Sequence, residues 1–320
     1  KHMLRLRHAS QISGAEANEA AIKLARKYSY DKYGADRYEI VTMTSSFHGR
    51  TMATLTATGQ EKVQKGFAPL VPGFTYVPFN DLSAVERAIT PKTAAILLEP
   101  IQAEGGVHVA ERGYLQGLRE LCRERDVLLI FDEVITGFGR LGSPFAAQEF
   151  DVIPDMITCA KGLTNGAIPM GGVIVSKDVY DTFCNNAAEN AIELFHGYTY
   201  SAHPVACAAG LAVLDIYKNE GLFDRVKDLA PYWENAIHSL KGTKHVTDLR
   251  NVGLVGAIEL ESRPGKPGAR AFDAFLKAYE KGMLIRVTGD IIAMSPPFIV
   301  EKSHIDQAVS IMADVLKSID

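Results

Sequence analysis

Cysteine is scarce in this sequence, and its four residues do not follow the spacing of a metal site or of a disulfide framework. There is no CxxC motif and no pair of histidines at the spacing of zinc ligands. We therefore predict no bound metal. Scattered free cysteines also favour a reducing compartment, so we expect the protein to be cytoplasmic. The cysteines are Cys122, Cys159, Cys184 and Cys207.

Long apolar runs and blocks of a single charge are also missing. No segment reaches the roughly 18 consecutive apolar residues of a membrane span, and we expect no signal peptide. The chain has 34 basic and 38 acidic residues, which gives a formal net charge of −4, and the two signs are interspersed. These features predict neither a membrane partner nor a nucleic-acid partner.

The sequence does contain an alternation of apolar, strand-like runs with helical patterns along its 320 residues. Such alternation predicts an α/β fold with a mostly parallel sheet. After about Gly221 the pattern changes to an amphipathic helix, short strands and a turn-rich loop, which predicts a smaller α+β domain. An Ala- and Leu-rich helix from His203 to Asn219 is expected to be buried and to connect the two domains.

These patterns give three predicted segments. Residues 1–11 are expected to lie outside the fold, because His2-Met3 is typical of a sequence introduced by cloning and the rest does not look like an apolar strand. Residues 12–220 are predicted to form the large domain. Residues 221–320 are predicted to form the small C-terminal domain.

Lys161 is the most informative residue of the chain. It follows a short apolar run, and Asp132 ends another apolar run, 127–131, that has the character of a buried strand. We expect a buried amine and a buried carboxylate at adjacent strand ends. This pair suits a pyridoxal 5′-phosphate (PLP) enzyme, in which the lysine forms a Schiff base and the acid pairs with the pyridinium nitrogen. Each residue alone has an ordinary alternative, a solvated helix start or a salt-bridge partner.

Three further motifs lie at predicted strand ends or at a helix start. Residues 13–16 (SGAE) open the first long helix, where backbone N–H groups can bind an anion, although Ser13 is also a plain N-cap. Residues 46–51 place Phe47 where it can stack on a flat ring, or fill the core beneath a loop. Residues 99–106 are acidic and Gly-rich. Ligands bind at the carboxyl ends of strands in open α/β sheets, so we expect these motifs to form one site.

Together the motifs resemble the class III PLP-dependent aminotransferases of fold type I, over nearly the whole chain from about Ile12. The most specific segments are 132–140 (DEVITGFGR) and 160–163 (AKGL). The resemblance implies a fold type I large domain, PLP as cofactor, and a homodimer with shared active sites. It also implies that Lys161 forms the Schiff base and shuttles a proton, while Asp132 keeps the pyridine nitrogen protonated.

The resemblance further implies specific contacts with the cofactor. Val134 and Phe47 would pack on the two faces of its ring, and the N–H groups of Gly14 and Ala15 would bind its phosphate. Thr199 would reach the phosphate of the partner subunit's cofactor. The implied cofactor-binding residues are Gly14, Ala15, Phe47, His48, Gln102, Asp132, Val134, Lys161 and Thr199.

The substrate is a finer question. Residues 284–290 resemble the ω-amino acid:pyruvate transaminases, in which the arginine that matches Arg286 binds the substrate carboxylate, a task suited to a bidentate guanidinium. Arg140 is a second candidate for that contact, and Glu104 is expected to line the pocket. In contrast, residues 59–74 and 99–107 resemble the acetylornithine aminotransferases.

We therefore predict an enzyme that moves an amino group from an ω-amino acid or amine to pyruvate or another 2-oxo acid. The first alternative is an acetylornithine- or ornithine-type aminotransferase that uses 2-oxoglutarate. The second is a catalytically silent fragment that binds PLP or only dimerises, because the N-terminal segment of the family is not in this sequence. A PLP-dependent mutase or decarboxylase also stays open, since fold does not fix the reaction.

Overall fold

A computed structural model of the chain describes residues 8–320, which divide into two compact units. The first unit comprises residues up to 100, 110–138 and 145–215. The second comprises residues 101–109, 139–144 and 216–320. The two short segments 101–109 and 139–144, which we predicted to belong to the large domain, therefore cluster with the second unit.

The secondary structure follows the predicted alternation closely. The strands are β1 (His8–Gln11), β2 (Glu39–Met43), β3 (Phe74–Val77), β4 (Thr93–Leu98), β5 (Ile101–Gln102), β6 (His108–Val109), β7 (Leu128–Asp132), β8 (Met156–Cys159), β9 (Gly171–Val175), β10 (Val246–Val252), β11 (Val255–Leu260), β12 (Arg286–Thr288) and β13 (Ile291–Met294). The helices are α1 (Gly14–Tyr33), α2 (Met52–Ala57), α3 (Glu61–Gln64), α4 (Leu82–Ala88), α5 (Ala103–Gly106), α6 (Arg112–Glu124), α7 (Ala146–Glu149), α8 (Lys177–Asn186), α9 (Pro204–Asn219), α10 (Leu222–His238), α11 (Ala269–Glu280) and α12 (Lys302–Ser318). A short 3₁₀ turn spans Lys161–Leu163.

The first unit is built on a seven-stranded sheet with the order β1-β9-β8-β7-β4-β2-β3. The pairs β8–β7, β7–β4, β4–β2 and β2–β3 are parallel, and the two pairs at the β1 edge are antiparallel. Every residue of β4 and β7 is buried, as expected of parallel strands that are covered on both faces. The predicted α/β fold with a mostly parallel sheet is confirmed.

The chain start differs from the prediction. Residues 8–11 form β1, which pairs antiparallel with β9 and sets Gln11 opposite Gly171. Residues 1–7 lie outside the described residues, so the prediction that 1–11 are outside the fold is wrong for 8–11. An edge strand forms through backbone hydrogen bonds and needs no apolar pattern, which is why composition did not indicate it.

Helix α9 also differs from its prediction. Its sequence is apolar, yet Val205, Leu211, Leu214 and Ile216 are exposed, Leu211 by 65%. The expected burial of this helix is therefore wrong for the single chain. Apolar composition indicates that a helix will be covered, but it does not indicate whether the cover comes from the same chain. Residues 216–219 of α9 belong to the second unit.

The second unit contains a four-stranded antiparallel sheet with the order β10-β11-β13-β12. Helices α10, α11 and α12 contribute to its core, where Trp233 is among the largest fully buried side chains. The short hairpin pair β5 and β6 belongs to this unit as well. Among the described residues, no helix combines the length and the apolarity needed to cross a membrane.

Candidate active site

Asp132 ends β7, the central strand of the large sheet, and its side chain is almost fully buried. Three donors converge on its carboxylate. Asn18 Nδ2 donates to Oδ2 at 2.7 Å, and His48 Nδ1 donates to the same oxygen at 2.8 Å. The backbone N–H of Val134 donates to Oδ1 at 3.1 Å. Because a buried charge without partners is costly, this set of donors compensates the carboxylate and fixes its orientation.

Asn18 is not among the residues that we predicted for the site. Its Nδ2 group also donates to the carbonyl oxygen of His48 at 2.8 Å, and its Oδ1 accepts from Thr158 Oγ1 at 2.7 Å. One buried amide therefore links α1, the loop after β2 and strand β8. The signal in the sequence is its position four residues after Gly14, on the alanine face of the helix, because a polar side chain on a buried face needs partners.

The loop after β2 brings Phe47 and His48 to the same strand end. The Phe47 N–H donates to Glu99 Oε2 at 2.9 Å, which ties this loop to the end of β4. Gly49 follows with φ +137°, and a Cβ at this position would overlap Ala15 at the start of α1. Glycine is therefore required for the loop to lie against the helix start.

Helix α1 begins at Gly14, and the predicted N-cap is confirmed. Ser13 Oγ accepts from the Glu16 N–H at 3.2 Å. A Cβ on Gly14 would lie 2.9 Å from Cγ1 and Cγ2 of Val134, so the helix start packs directly against the loop that follows β7. The first N–H groups of a helix have no acceptor inside it, and small residues leave them accessible. This end of the first unit can therefore accept an anion such as phosphate.

Lys161 follows β8 and begins the 3₁₀ turn. Its φ of +39° is unusual for a residue with a Cβ, and such strain is typical of positions that the surrounding structure imposes. The strand ends are adjacent as predicted, since Asp132 lies opposite Thr158 in the β7–β8 register. The predicted burial of the amine is wrong for the single chain, in which Lys161 is exposed. The apolar run ends at Ala160, so the pattern of burial stops one residue before the lysine.

Glu133, the neighbour of Asp132, has a different environment. It is fully buried, and its carboxylate accepts from the N–H groups of Ala146 at 2.5 Å and Ala147 at 2.9 Å, at the start of α7. Thr136 Oγ1 donates a third hydrogen bond at 2.9 Å. Burial raises the pKa of Glu133 to about 7, and the three donors oppose that rise. Glu133 thus holds α7 to the end of β7.

Two further predicted residues lie elsewhere in the chain. Thr199 is exposed in the segment 187–203 between α8 and α9 of the first unit. Its contact with the cofactor of a partner subunit stays a prediction. Gln102 is buried in β5 and belongs to the second unit, where it lies opposite His108.

Glu104 and Arg286 form an ion pair within the second unit. Glu104 lies in α5, and Arg286 begins β12. The arginine side chain is well exposed, whereas that of Glu104 is more covered. Since ion pairs between exposed groups are weak, the guanidinium can exchange this carboxylate for another at low cost.

Arg140, the second carboxylate-binding candidate, is held differently. Its Nη1 donates to the carbonyl oxygen of Pro296 at 2.6 Å and to that of Leu254 at 3.3 Å, all within the second unit. The guanidinium also lies 4.6 Å from the ring centroid of Phe298. Burial lowers the pKa of Arg140 to about 10. These contacts give Arg140 a role in packing the second unit.

The donors and acceptors of the first unit fit PLP. A carboxylate has about four lone-pair sites, so the three donors on Asp132 leave room for the N–H of a pyridinium ring. The start of α1 at Gly14 suits the phosphate, and Lys161 supplies a primary amine beside the neighbouring strand end. Among residues 8–320, no group of His, Cys, Asp and Glu side chains is arranged to hold a metal ion.

Comparisons with known proteins agree with this geometry. The family model Aminotransferase class-III matches residues 7–316. An omega-aminotransferase from Caulobacter vibrioides is 43% identical, over 96% of this chain and 75% of its own. An acetylornithine aminotransferase from Caldanaerobacter subterraneus is also 43% identical, with the same coverage. The crystal structure of the omega transaminase from Pseudomonas jessenii in complex with PMP matches with a TM-score of 0.92 at 28% identity, over 97% of this chain and 74% of its own.

Glu133 makes the stability of the fold depend on pH. Its folded-state pKa of about 7 lies above the ordinary value of 4.5, so the folded chain binds more protons than the unfolded chain between these values. Stability from this group is therefore complete at low pH and is lost as the pH rises. We expect the unfolding free energy of the wild type, relative to Glu133→Gln, to fall by about 3 kcal/mol between about pH 4 and pH 8.

Urea unfolding of both proteins across this pH range measures the difference directly. Groups other than Glu133 titrate in both proteins, so they cancel in the comparison. A wild-type advantage that stays constant or grows with rising pH would contradict the environment described for Glu133.

Proposed function

The chain belongs to the class III aminotransferases, which use PLP to move an amino group from a small-molecule donor to a 2-oxo acid, and on this premise we propose that its donor is an ω-amino acid or amine and its acceptor pyruvate or a similar 2-oxo acid. Arg286 carries this proposal. Its guanidinium is exposed and pairs with the carboxylate of Glu104, which suits the capture and release of a substrate carboxylate.

Each residue of the first-unit site has a part in the proposed reaction. When bound, PLP supplies an electron sink for the donor carbon as it loses its proton. Asp132 holds the ring nitrogen in its charged form, and Asn18 and His48 keep that carboxylate oriented. Lys161 Nζ would accept the proton from the donor carbon and deliver it to C4′ of the cofactor, which is the net proton movement that transamination requires and one that an accessible amine can perform.

The remaining first-unit residues hold the cofactor in place. The N–H groups of Gly14 and Ala15 bind its phosphate at the start of α1. Val134 would pack on one face of the ring and Phe47 on the other, which would exclude water from both faces. Val134 is itself fixed by contact with Gly14, so the two contacts support each other.

An acetylornithine-type enzyme that uses 2-oxoglutarate is the second candidate. The specific observation in its favour is the acetylornithine aminotransferase from Caldanaerobacter subterraneus, which matches this chain as well as the omega-aminotransferase does. Both candidates share the first-unit chemistry and differ in the donor and in the preferred 2-oxo acid. The predicted cytoplasmic location and the alternative of a silent fragment stay as predictions.

The proposed enzyme is a homodimer, and α9 supplies the supporting observation. A helix with several large apolar side chains exposed on one molecule is stabilised when a second surface covers it. Two more large hydrophobic side chains, Phe195 and Tyr200, are exposed in the segment just before the helix. A second copy of the chain would cover this surface and bring Thr199 close to the cofactor of its partner.

Replacing the lysine tests the cofactor site. The wild-type chain loaded with PLP is expected to show a visible absorbance band at roughly 400–430 nm that a donor such as 1-phenylethylamine bleaches. Lys161→Ala should lack this band and transfer no amino group, while Lys65→Ala, which removes another exposed lysine, should behave as the wild type. Retention of a donor-sensitive band in Lys161→Ala would refute the role of Lys161, and a wild-type band that no donor bleaches would favour the silent fragment.

Donor selectivity tests the substrate proposal. We expect β-alanine and 1-phenylethylamine to reduce the absorbance band in the donor half-reaction, with pyruvate restoring it. Arg286→Gln should raise the half-saturating concentration of β-alanine by about 10- to 100-fold, because a charge-assisted bond is lost. The value for 1-phenylethylamine, which has no carboxylate, should change by less than about 2-fold. Faster turnover of N-acetylornithine with 2-oxoglutarate would establish the second candidate.

The mass in solution tests the dimer. The wild type is expected at twice the chain mass of 34.9 kDa. Leu211→Glu places a charge in the proposed interface and should shift the protein to the mass of one chain, because an unpaired buried charge is costly. Ile153→Glu is the matched control, since Ile153 is equally exposed at 64% but lies outside α9. A dimer that survives Leu211→Glu would assign the interface to another surface.

A further inference from the structure

Glu104 lies in α5 (Ala103–Gly106), a single helical turn that has an unusual backbone conformation at its end. Gly106 has a φ of +130°, and the next residue, Val107, has a φ of +56°. A left-handed conformation is strained for a β-branched side chain. At the end of this turn the Val107 N–H donates to the Ala103 carbonyl oxygen at the long distance of 3.4 Å. Its conformation therefore depends on contacts from outside the turn.

Arg250 in β10 supplies one such contact. Its Nη2 donates to the carbonyl oxygen of Gly106 at 2.9 Å, within the second unit. Its Nη1 pairs with Glu259 Oε2 at 2.5 Å and with Asp248. Only 19% of the arginine side chain is exposed. Two carboxylates on the sheet thus fix the guanidinium, which acts as a rigid donor to the turn.

Packing supports the same placement of the turn. A Cβ on Gly106 would lie 2.6 Å from Cδ1 of Ile291 in β13. The turn therefore lies directly on the sheet at Gly106, whose carbonyl oxygen also accepts the hydrogen bond from Arg250. Glu104, two residues earlier, reaches Arg286 in the neighbouring strand β12.

We propose that Arg250 is a positioning residue for substrate recognition: it holds the Ala103–Gly106 turn and thereby presents Glu104 to Arg286. The inference rests on the proposed function, in which Arg286 binds the donor carboxylate. Glu104 competes with that carboxylate for the same guanidinium. A firmly held Glu104 therefore weakens the binding of carboxylate donors and neutralises Arg286 when the donor carries no carboxylate.

Arg250→Gln tests this inference through the donor half-reaction. It should lower the half-saturating concentration of β-alanine by about 2- to 5-fold, the range of an exposed ion pair, and leave the maximal rate unchanged. Glu104→Gln should give the same shift, and the double variant should give no further shift, because both changes remove the same competitor. Amide hydrogen exchange of Val107 should be faster in Arg250→Gln, without any substrate present.

Arg263→Gln is the matched control. Arg263 also pairs with a carboxylate in the second unit, Asp273, at a side-chain exposure of 25%. It should change neither the exchange of Val107 nor the response to β-alanine. Equal effects of both arginine variants would show general loosening of the unit and overturn the inference.

The remaining outcomes separate the inference from the proposed function. Two outcomes overturn the role of Arg250 and leave the role of Arg286 in binding the carboxylate intact. The first is unchanged amide exchange at Val107 in Arg250→Gln. The second is a shift in the half-saturating concentration of β-alanine that adds fully to the shift caused by Glu104→Gln. If Arg286→Gln leaves the response to β-alanine unchanged, the carboxylate contact of the proposed function fails, and the inference fails with it.

Discussion

The carboxylate of Asp132 is buried at the end of β7, so it needs hydrogen-bond donors from several elements. The segment that follows β7 supplies one of them, the Val134 N–H. The other donors come from α1 and from the loop after β2, which are more than 80 residues away in the sequence. Asn18 extends the network to Thr158 in β8. The start of α1, the loop with His48 and the ends of β7 and β8 are therefore positioned together, and the elements that would hold PLP meet where one buried carboxylate needs them.

The adjacent carboxylates of Asp132 and Glu133 show how the environment divides similar groups between tasks. Successive side chains at a strand end point to opposite sides. Asp132 therefore faces α1 and the loop after β2, where its donors leave one acceptor position. Glu133 faces the start of α7, where backbone N–H groups and a threonine saturate it. The first arrangement suits recognition of a cation, and the second stabilises a loop. The dipeptide in the sequence does not distinguish them.

Local patterns predicted the parts of the fold that depend on local physics. The continuous apolar run 127–131 indicated the buried strand β7, and the alternation of apolar runs with helical patterns indicated the mostly parallel sheet. The departures share a different cause. The edge pairing of β1, the exposed face of α9 and the exposure of Lys161 each depend on what covers a segment, which its own sequence does not encode. Asn18 belongs with them, because its importance comes from a charge 114 residues away.

Three arginines of the second unit show how the degree of burial decides what an arginine side chain can do. Arg140 and Arg250 donate to main-chain carbonyl groups, and the loss of either arginine would leave a partly buried acceptor without that donor. Their bonds therefore act as fixed parts of the unit. Arg286 is exposed and bound to a carboxylate, so another carboxylate can replace its partner with little net change in free energy. That difference supports the role in substrate recognition that we propose for Arg286, and it suits the largely covered Arg250 to its proposed role of holding the turn that carries Glu104.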